Sequence, residues 1–308
     1  MKTLLTDEDR QTLVAAFGER ARFDEPLAAY TWWKIGGPAD ALLTAQSSAD
    51  VAFVMRFAFK RKLPWFVLGL GSNILIGDGG MRGLVLRLSG EFNALDVRLE
   101  DEAVVVQAGA SAQMALLTAQ AASQGAVSIG SLAGIPGSVG GALFMNAGTD
   151  REIGEFVRDV WVHTLAKPEA HPVSVQYYYR HTTLARDAIV ARVTLAFERG
   201  DPASVRSEMQ ARLVRRKATQ PIGFPNAGSC FRNPPGDRAG RLIEAVGAKG
   251  WRVGGAEVSP LHANFIVNIA DAKARDVTTL LARVRRAVGE RFGLDLQLEV
   301  HLVGEFVA

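Results

Sequence analysis

From Ala103 to Thr149 the chain carries no Asp, Glu, Lys or Arg, although such residues make up 22% of its 308 positions. A run of that kind belongs either in a bilayer or deep in a protein. Its Gly, Ser, Gln and Pro interruptions break every apolar span of about 20 residues, the length a membrane crossing needs. Burial is therefore expected, and no membrane insertion. The run ends in GIPGSVGGALFMNAG, Gly134 to Gly148, where five of fifteen residues are glycine. Glycine lets a backbone approach another surface closely and take φ > 0. The exposed N–H groups of such a segment can cradle an anion. Two readings stand side by side: a backbone surface pressed against a phosphate-bearing cofactor, or a tight turn leading into a core helix.

The length exceeds one ordinary core, so two or three domains are expected. A 48% hydrophobic content and a formal charge of +3 describe a globular protein. The charges are dispersed and no basic run is interleaved with aromatics, which argues against nucleic-acid binding. The short cluster Arg215-Arg216-Lys217 suits one small anionic ligand instead. A single cysteine, Cys230, excludes an internal disulfide framework and a Cys-rich metal site, so no metal is expected. The N-terminus MKTLLTDEDRQ turns acidic too soon for a secretory signal, and the expected location is cytoplasmic.

In chain order, Thr6 to Asp9 has the spacing of a capping box and opens a short helix. Ala39 to Thr44 reads as a strand. Ser47 and Ser48 are caps for a helix through Phe53, Val54, Phe57 and Ala58 that stops before Pro64. Trp65 to Leu68 is a short strand leading into the loop Gly69-Leu70-Gly71-Ser72-Asn73, at a strand's carboxyl end, where α/β sheets often hold ligands. The loop is neither a Rossmann fingerprint nor a Walker loop. Leu84 to Leu88 reads as a strand, Asp96 to Ala108 as a hairpin, and Ala112 to Gln124 as a helix. Strands follow at Asp159 to Leu165 and Ala188 to Phe197, with Tyr177-Tyr178-Tyr179-Arg180 between them. A helix is expected over Asp201 to Thr219 and another over Arg238 to Val246. The chain closes with a strand Ala263 to Asn268, a helix Ala270 to Phe292 and a strand Leu296 to Val303, an α+β pattern unlike the glycine-rich front.

Five segments in this order carry a resemblance: GLGSNILIGDGG, GIPGSVGGALFMNAG, YYYRHTTL, NAGSCFRNPPGDRAGRLIEAVGAKG and LEVHLVGEF. Together they resemble the UDP-N-acetylenolpyruvoylglucosamine reductase (MurB) family, from about Thr31 to Gly304. The resemblance implies an α+β fold: a two-part FAD-binding region of the PCMH type, then a smaller α/β substrate-binding domain. The corresponding divisions are 1–88, 89–200 and 201–308. It implies a cell-wall enzyme in which NADPH reduces non-covalent FAD and the hydride passes to the enolpyruvyl group of a UDP-sugar, giving UDP-N-acetylmuramate.

By the same resemblance the catalytic set is Arg180, Ser229 and Glu299. The cofactor contacts are Gly69, Leu70, Gly71, Ser72, Asn73, Gly134, Ile135, Pro136, Gly137, Gly140, Gly141, Asn146 and Ala147. Arg215, Arg216, Asn233 and Lys249 are candidates for the UDP-sugar, the cations for its diphosphate. The chemistry suits these types: a guanidinium stabilises an enolate as charge develops, a protonated Glu donates to it, and Ser229 gives its proton to a carbanion.

Leu70 stands where the family usually has a third glycine. Between Arg180 and Ser229 there is room for one strand and one helix, as in the type without an inserted tyrosine-bearing loop. The competing enzyme class is an FAD-dependent oxidase of the same broad fold acting on an alcohol or sugar. Many of those tether FAD through a histidine in the first glycine loop. Here His163, His171, His181, His262 and His301 all lie far from Gly69 to Asn73. A non-catalytic flavin or nucleotide-sugar sensor is expected to lose at least one of Arg180, Ser229 and Glu299, and all three stand. Cys230 as a nucleophile lacks a nearby histidine in sequence and reads as a small buried hydrophobe.

Overall fold

The structure, a computed structural model, describes residues 3–307. Two sheets make up the front of the molecule. The first orders its strands Ala21–Pro26, Pro38–Ala45, Met81–Leu88 and Trp65–Val67. The last three strands in that order run parallel and the first is antiparallel. The helix Ser48–Arg61, which makes the parallel crossover, starts on the Ser47 hydroxyl accepting from Asp50 N. It ends at Lys62 in the left-handed region, two residues before Pro64. Its buried Val51, Val54 and Met55 pack on Ala41, Leu43 and Leu86 of the sheet.

The second sheet is antiparallel and five-stranded: Leu95–Glu100, Ala103–Gly109, Ile189–Glu198, Val157–His163 and His171–Val173. Its central strands alternate Val104, Val106, Val193 and Leu195 into one core shared with the helix Met114–Ser123 and the short helix Val139–Phe144. The charge-free run supplies much of that core. Leu116 and Phe144 are its large apolar residues left exposed. Of the two readings of Gly134 to Gly148, the turn into a core helix is present as Val139–Phe144, and the same turn also faces the other glycine loop.

A third core gathers around the amphipathic helix Ala274–Phe292, the helix Ala239–Ala245 and a small sheet of Arg252–Val253, Ala256–Val258 and Ile266–Asn268. Trp33 belongs to this core although it comes from the front of the chain, and its Nε1 donates to Ile266 O at 2.8 Å.

Three expected elements are shorter than the sequence pattern suggests, each for a local reason. The strand Ala263 to Asn268 forms only over Ile266–Asn268. Asn264 is occupied elsewhere, its carbonyl accepting from Cys230 N and its side chain pairing with Phe231. The helix expected from Ala270 starts at Ala274, where Asp78 accepts from the N–H groups of Ala274 and Arg275. The last strand is regular only over His301–Val303, because the segment changes partners. Before Glu299 it pairs with Phe231 and Arg232; after Val300 it runs parallel to Ile74–Ile76. Among the described residues no helix is long and apolar enough to cross a membrane.

Candidate active site

The exchange of partners at the C-terminal strand creates a junction of three segments. Glu299 N donates to Cys230 O at 2.8 Å, Asn73 Nδ2 donates to Glu299 O at 3.2 Å, and His301 N donates to Asn73 O at 3.1 Å. Glu299 thus sits between the first glycine loop and the Ser229-Cys230 segment. Ser229 is half-buried and follows a turn that Asn226 locks, accepting from Gly228 N and donating to Pro221 O and Phe224 O. Beyond Ser229 the Asn264 clamp holds Cys230 and Phe231.

Arg180 reaches the junction from the opposite side. It is the third residue of the tight turn joining Tyr177–Tyr178 to His181–Thr182, at φ +56°. That position favours glycine, so a residue with a side chain is held there at some strain. Three bonds fix its guanidinium. Nε donates to Glu299 Oε1 at 2.9 Å, Nη1 to Glu152 Oε1 at 3.1 Å and Nη2 to Gly148 O at 3.0 Å. The Tyr179 ring lies 4.7 Å beneath the guanidinium carbon. Arg180 and Glu299 side chains are only 16% and 17% exposed, so this pair is poorly screened. Burial pushes the Glu299 carboxyl up from its usual range, and Arg180 opposes that. Burial raises Glu152 as well, again against Arg180.

The two glycine loops touch. Ser72 Oγ donates to Pro136 O at 2.9 Å, and a Cβ on Gly137 would come within 2.8 Å of Ser72 Oγ. A Cβ on Gly69 would come equally near Ser138 Oγ. Gly71, at φ +65°, fits under Tyr30, where a Cβ would lie 2.3 Å from the carbonyl oxygen. Leu70 has no such constraint, since its φ is negative and its backbone needs no glycine. In the second loop the N–H groups of Val139 and Gly140 are used by Ala112 O and Ala110 O, and Gly141 N turns back to Ser138 Oγ. In the first loop, among the described residues, the N–H groups from Gly69 to Asn73 engage no protein acceptor. A glycine cradle with open N–H groups fits the phosphates of FAD.

The remaining expected residues divide. Asn146 is buried at φ +44° and is bonded within the protein, to Glu152 Oε2 at 2.5 Å, Tyr178 O and Gly154 N. Arg216 lies across Gly134, where a Cβ would be 2.9 Å from its Cδ, and burial pulls its guanidinium below the ordinary arginine value. Arg215 is exposed. Lys249 pairs with Glu244 at 2.7 Å, and Asn233 Oδ1 accepts from Ala239 N at the start of a helix.

Two charged residues of the site were missed in the sequence. Glu152 follows NAG by four positions and reads there as one more surface acid of the run Asp150-Arg151-Glu152. Arg232 has its Nε buried with no hydrogen-bond acceptor among the described residues, and its charge acts on Glu299 and His301. Its place three residues after Ser229, in SCFR, was the available signal.

A glycine cradle where loops of the two front sheets meet, beside a buried arginine–glutamate pair, fits a flavin-dependent oxidoreductase of the two-part FAD-binding class. Residues 39–164 match an FAD binding domain family, and residues 220–303 match the UDP-N-acetylenolpyruvoylglucosamine reductase C-terminal domain. A reductase of that name from Moorella thermoacetica is 43% identical over 92% of this chain and 93% of its own length. One from Myxococcus xanthus is 40% identical over 94% of both chains. The crystal structure of the reductase from Thermus caldophilus aligns with a TM-score of 0.78 at 35% identity, covering 92% of this chain and 97% of that one. The chain belongs to the UDP-N-acetylenolpyruvoylglucosamine reductase family, FAD-binding enzymes of peptidoglycan synthesis.

Proposed function

We propose that the chain reduces the enolpyruvyl group of UDP-N-acetylglucosamine enolpyruvate, with NADPH as the reductant and Ser229 as the proton donor. The observation that carries this reading is the bond from Arg180 Nε to Glu299 Oε1 across 119 positions of sequence, on a residue whose N–H is tied to the Ser229 segment. Bound FAD supplies the hydride. Arg180 presents a guanidinium where the substrate carboxylate gathers charge, which lowers the barrier because the dipoles and charges are already in place. Glu299, protonated on Oε2, donates a hydrogen bond to the developing enolate. Ser229 then protonates the carbon beside the carboxylate; a hydroxyl is acid enough only because a carbanion is a far stronger base.

The open N–H groups from Gly69 to Asn73 support the assignment of FAD phosphates to that loop, with Gly134 to Ala147 as the facing wall. For the diphosphate of the UDP-sugar, Arg216 is favoured over Arg215, Lys249 and Asn233. It is the half-buried cation against the second loop, whereas Lys249 and Asn233 are engaged locally. The separate sheets and cores support a division near residue 88, but not the one expected at 200: the helix Pro202–Thr219 packs Val205 and Met209 into the core of the second sheet, and the third core draws its tail residues from Ala227 onward.

Anaerobic stopped-flow at the flavin band tests the central role. Ser229→Ala is expected to let NADPH bleach FAD at a normal rate, while reoxidation by the enolpyruvyl UDP-sugar falls by about 10²–10⁴, as for loss of a general acid. Equal slowing of both halves means the serine supports the flavin and donates no proton.

A further inference from the structure

The Arg180 guanidinium is gripped by two carboxylates, and the reduction of the enolpyruvyl group uses only one of them. Glu152 comes from the turn after Gly148 and Glu299 from the C-terminal strand, and the two differ in how their oxygens are spent. Glu152 faces a donor with each oxygen, Arg180 Nη1 at 3.1 Å and Asn146 Nδ2 at 2.5 Å. Among the described residues Glu299 faces one donor, Arg180 Nε, through Oε1 alone. Two donors stabilise a carboxylate as its anion, whereas a carboxyl with one donor and one unengaged oxygen accommodates a proton there. Asn146 is itself immobilised: it is buried, its Oδ1 accepts from Gly154 N and its Nδ2 also reaches Tyr178 O, which ties the Arg180 turn to the same anchor. Glu152 N is bonded to Glu155 Oε1 at 2.8 Å, so the backbone carrying the carboxylate is fixed too.

Resting on the proposed roles of Arg180 and Glu299, we propose that Glu152 is a positioning residue for substrate reduction: the resident anion that balances Arg180 and aims its guanidinium. Because the anion is supplied by Glu152, Glu299 is not required to be one. Like charges on the two acids repel through the shared arginine, so an ionised Glu152 favours the protonated form of Glu299. The pair titrates as a unit, and its proton resides on Glu299 Oε2, the oxygen left for substrate. The charged and titratable groups around the pair are Arg180 from the hairpin, Glu155 beside Glu152, Arg232 and the Cys230 thiol from the Ser229 segment, and His301 on the Glu299 strand itself. Of these, Arg180 and Arg232 act to ionise Glu299, and burial acts the other way.

The sign of the pH effect follows. A protonated Glu299 is lost as pH rises through its folded value, so substrate reduction has an alkaline limb. Glu152→Gln keeps the size of the side chain but removes its charge, and Arg180 then acts on Glu299 alone. The alkaline limb of flavin reoxidation should move to lower pH, and the rate at its optimum should fall about 10-fold to 100-fold from misaimed guanidinium. Bleaching by NADPH and flavin content should stay near normal. Glu152→Asp, which restores the charge, should move the limb back. In difference infrared spectra, the protonated-acid carbonyl band that Glu299→Gln abolishes should vanish at lower pH in Glu152→Gln than in the parent protein. An unmoved limb and band with Glu152→Gln, while Glu299→Gln and Arg180→Lys still cripple reoxidation, overturns the role of Glu152. If Glu299→Gln and Arg180→Lys leave reoxidation intact, the assignment of the site itself is what fails. Loss of flavin in Glu152→Gln but not in Glu152→Asp, with no shift of the limb, would make Glu152 a structural anchor and likewise overturn the proposal.

Discussion

The two walls of the site are built from different bonds. The wall bearing Ser229 and Glu299 is a main-chain ladder: Cys230 N to Asn264 O, Glu299 N to Cys230 O, Arg232 N to Gln297 O, His301 N to Asn73 O. The wall bearing Arg180 is a two-residue turn in a strained conformation, kept in place by side chains, with Glu299, Glu152 and Asn146 as the principal holders. A ladder tolerates changes of side chain but not loss of the groups that lock it. A side-chain lattice is sensitive to charge, and so to pH. Apart from Ser229 and Glu299, whose side chains are proposed to meet the substrate, substitutions on the first wall should therefore be read mainly in stability, and those on the second mainly in rate.

Arg180→Ala is the strongest break of the second wall. Removing one preorganised cation from a developing enolate should slow flavin reoxidation about 10²–10³-fold, with bleaching by NADPH much less affected. It also strips Glu152 and Glu299 of the group that opposes their burial. Their carboxyls then rise further, so the folded protein holds more protons than the unfolded chain. Stability falls with rising pH wherever that is true, so the variant should lose more of its urea midpoint above the ordinary glutamate range than below it. A stability deficit that grows as pH falls would contradict this arrangement of charges.

Asn264→Ala is the matching break of the first wall. The side chain is buried and satisfies both the N–H and the C=O of Phe231 at 3.0 and 2.8 Å. Leaving two buried backbone groups unpaired should cost about 2–4 kcal/mol, seen as a lower urea midpoint at unchanged slope. The half-reactions of the folded fraction should keep their normal ratio. Selective loss of reoxidation without loss of stability would mean that the ladder is not what positions Ser229.

The same contrast explains what was legible in the sequence. Segments whose role lies in the backbone announce themselves by residue type. Gly71 and Gly137 take positive φ against Tyr30 and Ser72, Asp201 caps the helix Pro202–Thr219, and Thr6 with Asp9 forms the capping box of the helix Asp7–Phe17. Glu299 and Arg180 were found only because flanking segments resemble a family, since neither LEV nor YYR says that the two meet. Glu152 carried no mark at all, because its importance comes from a partner 28 positions away. The last strand was overdrawn in the sequence, since alternation over Leu296 to Val303 cannot show a change of partner at its centre.

The smallest effect is expected at Cys230, which lies next to Ser229, the proposed proton donor, yet belongs wholly to the ladder. Its backbone carries the contacts that matter: N donates to Asn264 O and O accepts from Glu299 N, both at 2.8 Å. Neither depends on the side chain. The sulfur is buried in the core of the helix Ala274–Phe292 together with Phe231, and burial pushes the thiol up to about 12. At neutral pH its thiolate fraction is then on the order of 10⁻⁵, too little for a nucleophile. Iodoacetamide should fail to modify the folded protein at neutral pH and react once urea unfolds it. Cys230→Ala removes one buried atom and should cost about 1 kcal/mol while turnover stays within a few-fold. A thousandfold loss of activity with FAD still bound would return the thiol to the chemistry, and would mean that the ladder does not isolate side chain from function on this wall.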